Sequence, residues 1–522
     1  MEARRRLAVL VGLLLLSSLA TTGVPVAAQE AAPDPDSDVI GWENGYWHDE
    51  SIEVDQSDGL SEAEKEAYVS RAMARIEVLR EREFNATVPV SIISRDEFGN
   101  RTTGNSSANF SAWNNQVWEA LFVVGEDADV QDELQSTATA QTSGGYFYVA
   151  DEITIVTDAP EEASIGRGTL VHELVHAQQD QYYNLTNATF DGETQDGQLA
   201  TDGLIEGEAN YIEDRYEERC GVEWECVAAP SSGGDGGSSD INFGIFATLF
   251  HPYSDGPPYV HSLVEEDGWS AVDAEYETPP NSTEQIIHHT DEEPAPMNVT
   301  DTATGGWETF PEQGDNGTDR VGEASIFAML WYQSRDYDAD TIPVRTILDA
   351  EGPYDTYNYD SIPSSGWAND AVLPYRKGPP NETEYGYVWT IEWDTEADAT
   401  QFLAAYRAIL SAHDARRLGE RTWLIDAGPF SDAFRVAKEG RRVTIVNAPT
   451  VRDLDDVRPD VPAVEPPTTA EPPAPDQPDE PIDTPTQSAR TEPPPSAEQP
   501  GFGPLAALVA VLLVVAELRR RR

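Results

Sequence analysis

The stretch Thr169 to Tyr183, TLVHELVHAQQDQYY, constrains this chain more than any other. No Pro or Gly interrupts it, so it reads as a helix, and on a helix residues four apart stand one above the other. The imidazoles of His172 and His176 can therefore converge on one ion, while Glu173 projects from the neighbouring position toward a water held by that ion. Zinc chemistry asks for this set: two neutral imidazoles, a third protein ligand, and an open corner with a water of lowered pKa. A carboxylate beside that water can take its proton and later hand it to a leaving amine. The competing reading is a surface helix whose His and Glu are merely solvated.

A third ligand has to come from elsewhere in the chain. After a polar loop from Asn184 to Gly197 comes LATDGLIEGEANYIEDRYEE, in which Leu199, Ile205, Ala209, Ile212 and Tyr216 share one face, so a second helix is expected. Glu206 lies 30 residues after His176, far enough for a loop and a return. Glu208 and Glu213 are rivals: Glu208 points roughly 200° from Glu206 on an ideal helix, and Glu213 lies two turns along the same face. The Gly that follows Glu206 favours it over both.

The pair H-E-L-V-H and I-E-G-E-A resembles the gluzincin group of zinc metallopeptidases over Tyr146 to Tyr216. The resemblance implies an α+β fold with a zincin-like core, a mixed sheet plus two active-site helices, and a peptide or protein substrate. It implies His172, His176 and Glu206 as zinc ligands and Glu173 as the general base. Asp180 and Asn210 fall where the group places residues that support the ligands, although Asn is a weaker support for an imidazole than a carboxylate. The group also uses a downstream Tyr or His to stabilise the oxyanion, and Tyr259, His261, Tyr276, His288 and His289 are the candidates. YFYVADEITIV, Tyr146 to Val156, reads as two short strands to which an extended substrate can add.

Charge narrows the partners. With 95 acidic against 33 basic residues and a formal net charge of −62, the chain does not bind nucleic acid through its phosphates. Only Lys65, Lys377 and Lys438 are lysines, and the acidic excess runs along the whole chain, which resembles proteins of salt-loving archaea. Twelve Trp, twenty Tyr and fifteen Phe argue against disorder for most of it.

The two ends read as addresses. Arg4 to Arg6 followed by the apolar run to Ala20 and Val26-Ala27-Ala28 is an export signal over 1–28, by a Sec or a twin-Arg route. A loosely ordered segment is expected over 29–57, a zincin-like domain over 58–383, and a smaller α+β subdomain of strand, helix and hairpin over 384–450. A Pro/Thr-rich acidic stalk follows over 451–499. At 500–522, Pro-Gly-Phe, a brief apolar run and an Arg cluster resemble the PGF-type sorting signal of haloarchaeal surface proteins. That likeness implies processing by an archaeosortase and a lipid anchor; the alternative is a short transmembrane helix. Cys220 and Cys226 can close a disulfide loop in an exported protein. N-x-S/T triplets offer glycan sites at Asn85, Asn105, Asn109, Asn184, Asn187, Asn281, Asn298, Asn316 and Asn381. Two functions follow: a surface-anchored zinc metallopeptidase, or an envelope glycoprotein whose zincin-like domain is structural.

Overall fold

Helix capping and buried arginines decide where regular structure begins. In the computed structural model, which describes residues 34–95, 97–98, 107–141, 144–147, 151–157, 164–228, 241–350, 352–379 and 382–463, β1 (Trp42–Glu43) and β2 (Tyr46–Trp47) form a small hairpin. It leads to α1 (Glu62–Arg80), whose capping box has Ser61 and Glu64 satisfying each other's backbone N–H groups. The segment expected to be loose is held against α1: the Gly41 N–H donates to the buried Glu77 at 2.9 Å, and the Arg75 guanidinium donates to the His48 carbonyl at 2.7 Å. Buried charges on α1 need partners, and this hairpin supplies them.

A three-stranded sheet follows, built from β3 (Val90–Ser94), β4 (Gly144–Phe147) and β5 (Glu152–Thr157), with α2 (Ala108–Ala120) and α3 (Val130–Gln141) between the first two. The order is β3-β5-β4, with β3 parallel to β5 and β4 antiparallel at the edge. Next come five helices: α4 (Arg167–Tyr183), α5 (Gln195–Arg219), α6 (Phe243–Asp267), α7 (Trp269–Glu277) and α8 (Thr283–His288). The sequence suggests two helices, 241–250 and 259–274, where α6 runs unbroken through Pro252, Pro257 and Pro258. Its backbone is supported from outside: the Tyr253 carbonyl, which has no N–H partner at Pro257, accepts from the Asn210 side chain at 3.3 Å.

The last part of the described chain is a seven-stranded antiparallel sheet. It comprises β6 (Glu308–Thr309), β7 (Trp367–Lys377), β8 (Glu384–Trp393), β9 (Arg416–Arg417), β10 (Thr422–Leu424), β11 (Ala433–Glu439) and β12 (Arg442–Ala448), in the order β6-β7-β8-β12-β11-β10-β9. Helices α9 (Gly322–Tyr337), α10 (Glu396–Ala412) and α11 (Asp453–Val457) complete the described chain. Trp393 of β8 meets Phe402 of α10 on one face, and Leu454 and Val457 of α11 cover Tyr375, Val388 and Val446 on the other. This unit starts upstream of 384 and runs past 450. Asp370 of β7 accepts from the indoles of Trp367 and Trp389 and from the Gly322 N–H, tying the start of α9 to the sheet. Pro374 hides β7 from a pattern reading, yet it sits one residue past the end of pairing with β6, in register with Tyr387.

The whole is mixed α+β, with three sheets and eleven α-helices among the described residues, none long and apolar enough to cross a membrane. The export signal, the greater part of the stalk and the 500–522 tail lie outside those residues, as do Asn105 and Asn381. The other seven acceptor asparagines are exposed, and a disulfide joins Cys220 to Cys226.

One crossing positions the functional elements. Helices α5 and α6 meet backbone to backbone, where a Cβ on Gly207 would come within 2.5 Å of the Gly256 carbonyl carbon. Gly207→Ala is expected to destabilise the fold by about 1–3 kcal/mol in urea unfolding. Gly203→Ala, which meets only the Ile286 side chain at 3.0 Å, is expected to lose less.

Candidate metal centre

The helix expected from the sequence forms as α4, and α5 returns beside it with Glu206 turned inward. His172 Nε2 and His176 Nε2 stand 3.0 Å apart, and one Glu206 oxygen lies 3.1 Å from the first and 3.2 Å from the second. Three ligands on a tetrahedral centre at about 2.0–2.1 Å are separated by about 3.3 Å, so the triangle is close to the size a zinc ion requires. All three side chains are buried, with 1% or less of their surface exposed. The second Glu206 oxygen and one oxygen of Glu173, both buried, are left without a hydrogen bond of good geometry.

Electrostatics fit the same reading. Burial alone would raise the Glu206 carboxyl, but the His176 and His172 rings outweigh it and hold it down at about 2. Burial opposes charge on His172, and the carboxylates of Glu206 and Glu213 overcome it to raise the ring well above the ordinary range. Glu173 is lifted to about 7, chiefly by burial, with the two rings and the Tyr146 N–H of β4 pulling the other way.

The tautomer of His176 follows from its neighbour. The Gln179 amide nitrogen donates to the Ile205 carbonyl at 2.9 Å and to Glu208 at 3.1 Å, which turns its oxygen toward His176 Nδ1 at 2.8 Å. That oxygen can only accept, so Nδ1 carries the proton and Nε2 presents its lone pair to the triangle. Glu208, the rival ligand, faces away and pairs with the buried Arg80, while Tyr276 donates to it at 2.6 Å. Glu213, the other rival, stands 3.6 Å from His172 Nδ1, beyond the ring rather than in the triangle.

Several expected residues stand elsewhere. Asp180 accepts from the Leu185 N–H at 2.8 Å and the Tyr146 hydroxyl at 3.2 Å, securing the end of α4 to β4 rather than orienting a ligand ring. Asn210 supports the Tyr253 carbonyl instead of an imidazole. Tyr259 donates to Glu275 at 2.9 Å, His261 lies 3.5 Å from the Tyr211 hydroxyl, and His288 pairs with Glu323 at 3.0 Å. His289 meets the Tyr259 ring, and Tyr276 is bound to Glu208, so no expected oxyanion stabiliser addresses the triangle. The residue that stands beside the triangle is Tyr253 of α6. Its ring stacks on His172 with centroids 6.2 Å apart, and its hydroxyl, in the field of Glu206, Asp202 and Glu173, is held protonated by burial and those carboxylates. The motif HPYSDGPPY reads as a loop, which conceals this residue; Gln179, four residues before Tyr183, carries no motif at all.

Comparison with known proteins covers a different part of the chain. Residues 294–458 match a family described as Domain of unknown function (DUF8575), a span that contains the seven-stranded sheet but none of the triangle. No curated protein and no solved structure matches the chain.

Gln179→Leu is expected to weaken zinc binding by about 10–100-fold in competition with a chromogenic chelator. Asp180→Asn, whose partners lie at the helix end, is expected to leave that affinity within a factor of about three.

Proposed function

We propose that the chain is a zinc metallopeptidase of gluzincin type, with a zincin-like core, acting on peptide or protein substrates. The observation that carries the reading is the triangle of His172, His176 and Glu206 with the unpartnered Glu173 oxygen beside it. Zinc held on these three atoms would supply Lewis acidity toward a scissile carbonyl. Glu173, with a proton affinity near neutrality, takes a proton from the attacking water and returns it to the departing amine nitrogen. The Tyr253 hydroxyl, kept protonated, donates toward charge that develops on the carbonyl oxygen. Strand β4 is an edge of its sheet among the described residues and its Tyr146 N–H reaches Glu173, so an extended substrate added to that edge runs past the base. The export signal and the PGF-type tail support a place on the outer face of the cell membrane, with the anchor formed at 500–522 by an archaeosortase-like enzyme.

A second reading has its own observation. His172, His176, Glu206 and Glu173 are each 1% exposed or less, as in a closed structural metal site, which fits an envelope glycoprotein that does not hydrolyse peptides.

Turnover of a peptide library in molar salt separates the two. The metallopeptidase reading expects cleavage that falls by about 10²–10⁴-fold in Glu173→Gln while one zinc per chain is retained. Zinc without cleavage in the unaltered chain favours the structural site. Tyr253→Phe is expected to lower kcat by about 10²-fold with KM and zinc content little changed.

A further inference from the structure

We infer that Glu119, Glu126 and Asp432 form a second cation site, separate from the imidazole triangle, for a hard divalent ion of calcium type. One oxygen from each of the three lies within 4.8 Å of the other two. A shell of oxygens at about 2.3–2.6 Å from a common centre spans that distance. Glu119 and Asp432 are 3% and 4% exposed, and Glu126 stands at the rim, open to solvent.

Unpartnered oxygens from neighbouring residues point to a ligand here. The Gln116 amide nitrogen donates to one Glu119 oxygen at 2.7 Å, while the other Glu119 oxygen and the Gln116 oxygen are both buried without a partner. Asn447, fully buried beside Asp432, engages that carboxylate through its side-chain amide, and its amide oxygen has no partner. Buried polar atoms are normally satisfied, and one such nest holds three residues with an orphaned oxygen. The donors are all oxygens, with no imidazole or thiolate, which selects calcium or magnesium over zinc.

The charges agree. Those acting on Glu119 come from Asp432 and Glu126, and those on Asp432 from Glu126 and Asp453, all of them carboxylates. Burial first and this repulsion second push Asp432 up to about 8 and Glu119 well above the usual carboxylate range. Two buried carboxyls without a cation must hold protons; with one, both can ionise. Glu119 is near the end of α2 and Glu126 in the turn beyond it, whereas Asp432 precedes β11 and Asn447 lies on β12. The ion therefore clamps a helix from before residue 294 onto the sheet of the matched segment.

The test uses the full chain with its imidazole site filled by zinc, titrated with calcium chloride in molar KCl, where exposed acidic groups are screened. Calorimetry is expected to show one saturable calcium site, and thermal unfolding a Tm higher by a few degrees at saturation. Glu126→Gln, a change at the solvent rim that leaves folding intact, and Asp432→Asn are each expected to weaken calcium at least tenfold with zinc content unaltered. Absence of a saturable site in the unaltered chain, or calcium affinity in both variants equal to that of the unaltered chain, would overturn the inference; the carboxyls would then share a proton.

Discussion

Contact between two helix backbones at Gly207 and Gly256 determines where the imidazole and carboxylate triangle of this chain can form. With no side chain between them, α5 and α6 approach closely enough that the residues on either side of Gly207 acquire opposite roles. Glu206 turns to the imidazoles of α4, and Glu208 turns to Arg80 of α1 and to Gln179. The same approach carries Tyr253 of α6 onto the His172 ring. Helix α6 also joins the two large cores: Ile245, Phe250 and Tyr253 pack with the seven-stranded sheet and its helices, and Tyr259 and Val260 with α1, α4 and α5. A shift at the crossing would thus move the ligand, its neighbour and the joint between the cores together.

Buried charge sets the second constraint. An ionised carboxylate in a dry interior is costly unless a cation or several donors answer it. The chain answers Glu208 with Arg80, Asp196 with Arg320, and Asp370 with two indoles and backbone N–H groups at the start of α9. Glu206 is answered by the two imidazoles and the Tyr253 hydroxyl, and the Glu119 and Asp432 pair by no basic side chain that acts on it. These exceptions differ in donor chemistry, nitrogen-rich in one and all oxygen in the other, which is why different ions suit them.

Much of the centre was legible because it depends on short-range geometry. The i, i+4 imidazoles follow from helical repeat alone, and Glu206 from the Gly beside it, whose structural reason is the crossing. What escaped was set by tertiary contact. Tyr253 lies among three prolines that favour a loop reading, yet the Asn210 side chain supplies the donor that one of those prolines lacks, and the helix continues. Gln179 orients His176 where Asp180 was expected, because α5 turns an Ile205 carbonyl and a Glu208 oxygen toward the Gln amide. The C-terminal sheet was recognised from β8, α10 and the β11–β12 hairpin, but β7 was hidden by Pro374, and α11 by the polar run Asp453 to Asp456 that frames two core residues.

His172, His176 and Glu206 are proposed to hold one zinc ion. X-ray absorption at the zinc edge on the purified full chain tests it most directly. The account predicts one zinc per chain in a shell of nitrogen and oxygen at about 2.0–2.1 Å with the outer-shell scattering of two imidazoles, lost in His172→Ala. A spectrum unchanged by that substitution, or a chain that takes up no zinc, would contradict it.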